Sequence, residues 1–111
     1  MEPQYQPDAV FAALADATRR DIVLRALTGN EGVAEFASQY PMSFAAVQKH
    51  VGVLERAGLV TKQRDGRRKL VRTDIEALRV ARSLLDQYEA LWRSRVERMT
   101  DILTSSEEND R

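Results

Sequence analysis

The stretch Ser43–Thr73, SFAAVQKHVGVLERAGLVTKQRDGRRKLVRT, decides how the rest of the chain must fold. Its first half keeps a helical period, with Val47, Val51 and Leu54 on one face. Ser43 stands where a hydroxyl takes a free backbone N–H of the first turn, and Gly58 ends the run. The second half holds two short runs around Asp65-Gly66, a pair that favours tight hairpin turns. With the apolar stripe facing inward, Ser43, Phe44, Ala45, Gln48 and Lys49 fall outward near the helix N-terminus. His50 sits beside the stripe.

Working back from this stretch, Pro41-Met42 breaks the chain, and a helix is expected over 32–40 that buries Val33, Phe36 and Ala37. Gly29-Asn30, both tolerant of the left-handed conformation, are expected to close the preceding helix, DATRRDIVLRAL. Asp16 is placed to cap that helix, and Asp8 to cap a short one carrying Val10, Phe11 and Leu14. Working forward, no proline interrupts the chain beyond Asp74. Leu78, Ala81, Leu85, Tyr88, Trp92, Val96, Met99 and Leu103 recur at helical spacing, widened by Leu84, Leu91 and Ile102. The expected plan is a flexible lead-in over 1–7, one domain over 8–104 and a polar disordered tail over 105–111. Helix, helix, helix, turn, helix, hairpin and long helix describe a mainly α fold with a small β-hairpin wing, the winged helix-turn-helix.

The 17 basic and 17 acidic residues cancel, but they are unevenly placed. From Ser43 to Thr73 eight cations face two carboxylates, a balance of +6. The rest of the chain, with nine cations against fifteen carboxylates, carries −6. A basic block inside a neutral chain is the footprint of a polyanion-binding surface, although a solvated charged face would look the same. Cysteine is absent and His50 is the single histidine, which excludes disulfides and thiolate metal sites and leaves a histidine-based metal site without partners. No cofactor is expected. There is no Gly-rich phosphate loop and no nucleophile with an ordered base, so the chain does not read as an enzyme. No apolar run reaches membrane-spanning length and the N-terminus lacks a secretory pattern, so a cytoplasmic protein without membrane contact is expected.

The outward residues carry recognisable chemistry. Gln48 suits a bidentate pair with adenine, Lys49 suits guanine or a phosphate, and Phe44 or Ala45 suits a thymine methyl. An ordinary amphipathic helix is the blander alternative. For His50, packing or a backbone bond outweighs metal binding, with a phosphate contact in between. Arg67, Arg68 and Lys69 follow the hairpin turn. Side chains alternate along a strand, so at least one of the three points away, while the others are placed to flank a DNA backbone or enter a minor groove. The last helix has more apolar surface than one small domain needs. Leu84, Tyr88, Leu91, Trp92 and Met99 therefore read as a partner interface, unless the helix folds back on its own core. Two copies joined there would place two recognition helices about 34–36 Å apart, one turn of DNA. Tyr88 and Trp92 also leave room for an inducer pocket, though aromatics at helical spacing are more often core.

Three segments, FAALADATRRDIVLRAL (Phe11–Leu27), AVQKHVGVLERAGLV (Ala46–Val60) and DGRRKLVR (Asp65–Arg72), resemble the ArsR-type winged-helix repressors, and the likeness runs from Val10 to Leu103. The resemblance implies a homodimer formed by the first and last helices, with Phe11 and Leu14 joining the stripe of the last helix. It places Ser43, Ala45, Gln48, Lys49 and His50 at DNA-contact positions in the major groove, and Arg67 and Arg68 on the wing. Thr18-Arg19-Arg20 matches an element that is more often structural. Metal-sensing members carry cysteines in the recognition helix or Asp and His ligands on the last helix. Here QKHVGVL has no cysteine and the last helix no histidine, so the chain resembles the metal-independent subgroup. The expected partners are a double-stranded operator, a second copy and an unidentified small-molecule inducer. The expected role is repression of its own or a neighbouring operon. A winged-helix protein-interaction module without specific DNA binding is the alternative, and the basic block argues against it.

Overall fold

A computed structural model describes residues 6–109, with side chains over 6–105. Helices α1 (Pro7–Leu14), α2 (Ala17–Thr28), α3 (Val33–Ala37) and α4 (Phe44–Arg56) precede strands β1 (Val60–Asp65) and β2 (Arg68–Thr73) and helix α5 (Ile75–Asn109). Two compact units divide within α5, one ending at Ala81 and the other starting at Arg82.

The first unit is built around apolar residues that the helical periods place on inner faces. Val10, Ile22, Phe36, Val47, Val51 and Leu54 from the four helices meet Leu59, Val60 and Val71 from the hairpin base, each under 2% exposed. Ala77 and Ala81 in the first turns of α5 complete this core. Among the described residues no side-chain polar atom is buried without a partner.

Local chemistry sets the helix ends. Asp16 caps α2, accepting the Arg19 N–H at 3.0 Å, and Ser43 caps α4, accepting the Ala46 N–H at 3.1 Å. At the far end of α4, Gly58 takes a φ of 80°. There the Leu59 N–H reaches the Leu54 carbonyl and the Gly58 N–H reaches the Glu55 carbonyl, both at 3.0 Å. This is a Schellman closure, with Leu54 and Leu59 both buried beneath it. It turns the chain straight into β1.

Four expectations are corrected. Asp8 does not cap α1: Pro7 already lies in the helix, its fixed φ suiting the first turn, and Asp8 is an acidic first-turn residue. Gly29 has a φ of −98°, so α2 ends without the left-handed residue expected there. The helix expected over 32–40 is only α3; Ser38 Oγ donates to the Glu35 carbonyl at 2.8 Å and the Gln39 N–H to the Phe36 carbonyl at 3.0 Å, a local closure that stops it. The disordered tail expected over 105–111 is helical as far as Asn109, because α5 continues through it; Asp110 and Arg111 lie outside the described residues. The lead-in expected over 1–7 falls outside the described residues up to position 5.

The antiparallel hairpin runs from Val60 opposite Thr73 to Asp65 opposite Arg68, leaving Gly66 and Arg67 as the turn. Gly66 has a φ of 63° and, among the described residues, no non-glycine residue has a positive φ. That sign pattern belongs to a type II′ turn, which wants glycine first. Only the hairpin base is buried, through Val60, Leu70 and Val71. It is fastened to the segment before α3 by a bridge between Gly32 and Leu70 and by the Val71 N–H donating to the Glu31 carbonyl at 3.0 Å. A Cβ on Gly32 would stand 2.9 Å from the Lys69 carbonyl oxygen, so glycine alone permits this approach.

A polar cluster joins α2 to the turn after α3. Tyr40 Oη donates to Asp21 Oδ2 at 2.6 Å, Arg25 Nε donates to the same oxygen at 2.8 Å, and the Arg25 guanidinium lies over the Tyr40 ring. The Tyr40 hydroxyl, then the Arg25 side chain, hold the Asp21 carboxyl below its ordinary value, while burial pushes the Tyr40 hydroxyl well up. Because the folded Asp21 value is depressed, its contribution is full above the unfolded carboxylate range and lost as pH falls through the lower folded value. Tyr40→Phe should cost about 1 kcal/mol at neutral pH. It should also reduce the acid sensitivity of the thermal midpoint; an unchanged acid limb would mean that Arg25 alone holds the carboxylate.

In the second unit, α5 from Arg82 onward carries an apolar stripe on a charged helix. Leu85, Tyr88, Leu91, Trp92, Val96, Met99, Ile102 and Leu103 are all exposed, Leu91 by 69% and Trp92 by 63%. The Arg82–Asp86 and Glu89–Arg93 ion pairs lie on this unit at helical spacing. Among the described residues no helix is long and apolar enough to cross a membrane.

Candidate nucleic-acid interface

Helix α4 presents two chemically different faces. Val47, Val51 and Leu54 are fully buried, whereas Ser43, Phe44, Ala45, Gln48 and Lys49 are exposed. The inner face fixes the helix, and that rigidity lets the outer face present side chains in a defined register. Ala45, Ala46, Gln48 and Lys49 together line a shallow depression along the outer face.

A cleft of about 320 Å³ lies between α3, α4 and the hairpin. Gln48 forms one wall, and Lys62, Arg67, Arg68 and Lys69 form the other, with Gly32 to Glu35 at the α3 end. The structure thus brings Gln48 and all three wing cations to one opening, although Gln48 and the nearest of these cations stand 19 positions apart in the chain.

The three wing cations are not equivalent. Arg67 occupies the turn rather than the strand, so the alternation expected for three strand residues applies only to Arg68 and Lys69. Arg68 Nη2 donates to the Asn30 carbonyl at 2.9 Å and forms an ion pair with the Glu35 carboxylate. Arg67 and Lys69 are exposed and, among the described residues, take part in no ion pair. Lys62 faces Glu55 at 3.8 Å.

His50 is half-buried, and its Nδ1 lies 3.4 Å from Arg19 Nη1. Arg19 also donates to the Ala13 carbonyl at 2.7 Å and the Ala12 carbonyl at 3.2 Å, while Arg20 donates to the Leu14 carbonyl at 2.9 Å. Both arginines thereby satisfy carbonyls at the end of α1, where basic side chains are favoured. The Arg19 N–H on the Asp16 carboxylate is the main reason that this carboxyl sits below its usual value. Among the described residues, no cluster of three or more His, Cys, Asp or Glu side chains is placed to hold a metal ion.

Sequence reasoning missed Glu35 and Lys62, which line the cleft, and Asn30, whose carbonyl accepts from Arg68. Lys62 was visible in the basic block, but nothing set it apart from its neighbours. Glu35 and Asn30 reach Arg68 across 33 and 38 positions, and only the docking of the hairpin against α3 reveals them. Of the residues expected at a partner interface, Tyr88, Leu91, Trp92 and Met99 are exposed on α5 and Leu84 is half-exposed. Phe11 and Leu14 are half-buried against the core of their own unit.

Two helices joined by a turn, the second exposing Gln48 and Lys49, with a basic hairpin beside it, define a winged helix-turn-helix DNA-binding protein. The comparisons with known proteins agree. The HTH-type transcriptional regulator Rv2034 of Mycobacterium tuberculosis is 39% identical over 88 residues, which span 79% of this chain and 82% of the relative. An ArsR-like transcriptional regulator from Rhodococcus sp. RHA1 superimposes with a TM-score of 0.76 at 29% identity, over 86% of this chain and 91% of that one. The homodimeric winged helix-turn-helix DNA-binding domain Mb0332 from Mycobacterium bovis shares the fold. Its TM-score is 0.59 at 22% identity, over 78% of this chain and 82% of that one. No family model matches the chain. The chain belongs to the ArsR family of HTH-type transcriptional regulators.

Proposed function

We propose that the chain is a repressor that occupies operator DNA as a homodimer in the cytoplasm, controlling its own or a neighbouring operon. The shared opening of Gln48 and the wing cations carries this reading, because base-edge chemistry and phosphate-neutralising charge face the same way. In it, α4 enters the major groove. Gln48 reads adenine, Lys49 meets guanine or a phosphate, Phe44 or Ala45 meets a thymine methyl, and Ser43 and His50 approach the backbone. Arg67 and Lys69 track the adjacent backbone or minor groove, beside Arg68. The exposed stripe of α5, with Phe11 and Leu14 of α1, supplies the contact between copies, in keeping with the homodimer named for the Mycobacterium bovis domain. Without cysteine, and with His50 as its single histidine, the chain fits the metal-independent subgroup. An inducer, where one acts, is a small molecule, and a pocket between copies near Tyr88 and Trp92 is its natural place.

A gel-shift titration against the DNA upstream of the protein's own gene, with excess random duplex, tests the reading. A discrete complex resisting competitor at nanomolar protein supports it, since specific sites fall at about 10⁻⁸–10⁻¹¹ M. Absence of any complex at low salt would favour the protein-interaction module instead. On the operator so defined, Gln48→Ala should lower discrimination at one position of each half-site by about 1–3 kcal/mol. Unaltered preference across single-base variants would remove Gln48 from base reading.

A further inference from the structure

We propose that Glu35 sets the electrostatic share of DNA affinity: by holding Arg68 on the protein, it withholds one cation from the DNA backbone and so restrains binding to DNA of any sequence, the abundant non-operator background included. This rests on the reading of the cleft as the DNA face.

Arg68 opens β2, directly after the turn and opposite Asp65, at the mouth of the cleft that Gln48 lines. An arginine there is well placed for a phosphate. Instead its guanidinium is turned to the Asn30 carbonyl and the Glu35 carboxylate. Anchoring the wing does not require this. The hairpin is already fastened lower down by the Gly32–Leu70 bridge, by the Val71 N–H on the Glu31 carbonyl, and by Arg72 Nη1 donating to the Gly29 carbonyl at 3.4 Å. Both partners of the pair are about half exposed, 49% for Arg68 and 45% for Glu35, and such pairs contribute little to stability. Its effect therefore falls on what approaches the cleft.

Binding to DNA of any sequence grows with the number of phosphates a protein neutralises, each adding about 0.9 to the slope of log affinity against log salt. An arginine paired with a carboxylate adds none. Base reading by Gln48 does not depend on that charge. Glu35 thus lowers affinity for DNA of every sequence by one common factor and leaves sequence discrimination in place, which keeps the protein from being held on the background of competing sites.

The test is a salt series of fluorescence anisotropy titrations of the full chain on a labelled random-sequence duplex. Glu35→Gln should steepen the slope by about 0.9, tightening binding about 15-fold at 50 mM salt and about fourfold at 200 mM. Glu35→Ala, which leaves no acceptor at all, should do the same and serves if the first variant folds poorly. The double variant Glu35→Gln, Arg68→Gln should return to the wild-type slope. Three results overturn the proposal: a wild-type slope for both Glu35 variants; a tightening that persists without Arg68, which would make Glu35 a bare repulsive charge; or a double variant shallower than wild type by about 0.9, which would mean that Arg68 already neutralises a phosphate. Wild-type protein that ignores random duplex at 50 mM salt overturns the DNA-face reading itself, whereas wild-type binding with unaltered variants overturns the Glu35 assignment alone.

Discussion

Replacing Phe36 by alanine is expected to lower the unfolding free energy by about 3–5 kcal/mol, within the range for aromatic truncation in a well-packed core. Phe36 is fully buried, and it belongs to a helix of five residues. So short a helix has no stability of its own and persists through the face it buries. Loss of Phe36 should free α3 together with the Glu31–Gly32 segment on which the hairpin base rests. Urea denaturation followed by circular dichroism measures the effect directly. For a total stability at the low end of the usual ~5–15 kcal/mol, such a loss would bring the protein to its unfolding threshold. A loss below about 1 kcal/mol would show that the neighbouring Val33 and Ala37 contacts suffice to hold α3, since that is the cost of an ordinary point mutation.

The second large effect concerns α5. Leu91→Glu combined with Trp92→Glu should convert the proposed dimer into monomers at micromolar protein and weaken operator binding by roughly 100-fold or more, because each protomer would then hold a half-site without the other's help. Both residues are exposed on the second unit, so charges there disturb no core described for either unit. The helical signal should therefore survive. Sedimentation equilibrium supplies the first readout and the gel shift the second. A double variant that still sediments as a dimer would move the contact off this stripe. A wild-type protein that is monomeric at high concentration would remove the dimer altogether.

How much of this was legible in the residues depends on the range over which each feature is specified. Helix α4 is a local matter: Ser43, the Val47–Val51–Leu54 period and Gly58 specify its start, inner face and end, and all three act as expected. The hairpin was equally plain from Asp65-Gly66, although the turn itself falls one residue later, on Gly66-Arg67. That shift follows from the II′ pattern, which places glycine first, and it moves Arg67 off the strand. Helix α3 was over-extended because its apolar residues continue past the point where Ser38 bonds back to the Glu35 carbonyl. The tail was misjudged on composition: polar residues suggested disorder, but helix already formed upstream propagates at little cost per residue. On the outer face of α4, Gln48 and Lys49 could be read from helical phase alone. The different situations of Arg67, Arg68 and Lys69 could not, since they arise where β2 meets a segment more than thirty residues earlier.

The hairpin divides its length between two duties. From Thr61 to Lys69 every residue is exposed, while Val60, Leu70 and Val71 lie in or against the core. At the tip, a Cβ built on Gly66 would meet nothing within 4 Å. Reach and charge at the tip are thus free to drift over evolutionary time with little penalty to folding, provided that the turn keeps a residue tolerant of its backbone. A lineage can retune what its wing meets while inheriting an unchanged scaffold, and the same boundary between Lys69 and Leu70 tells an engineer where grafting a new wing should stop.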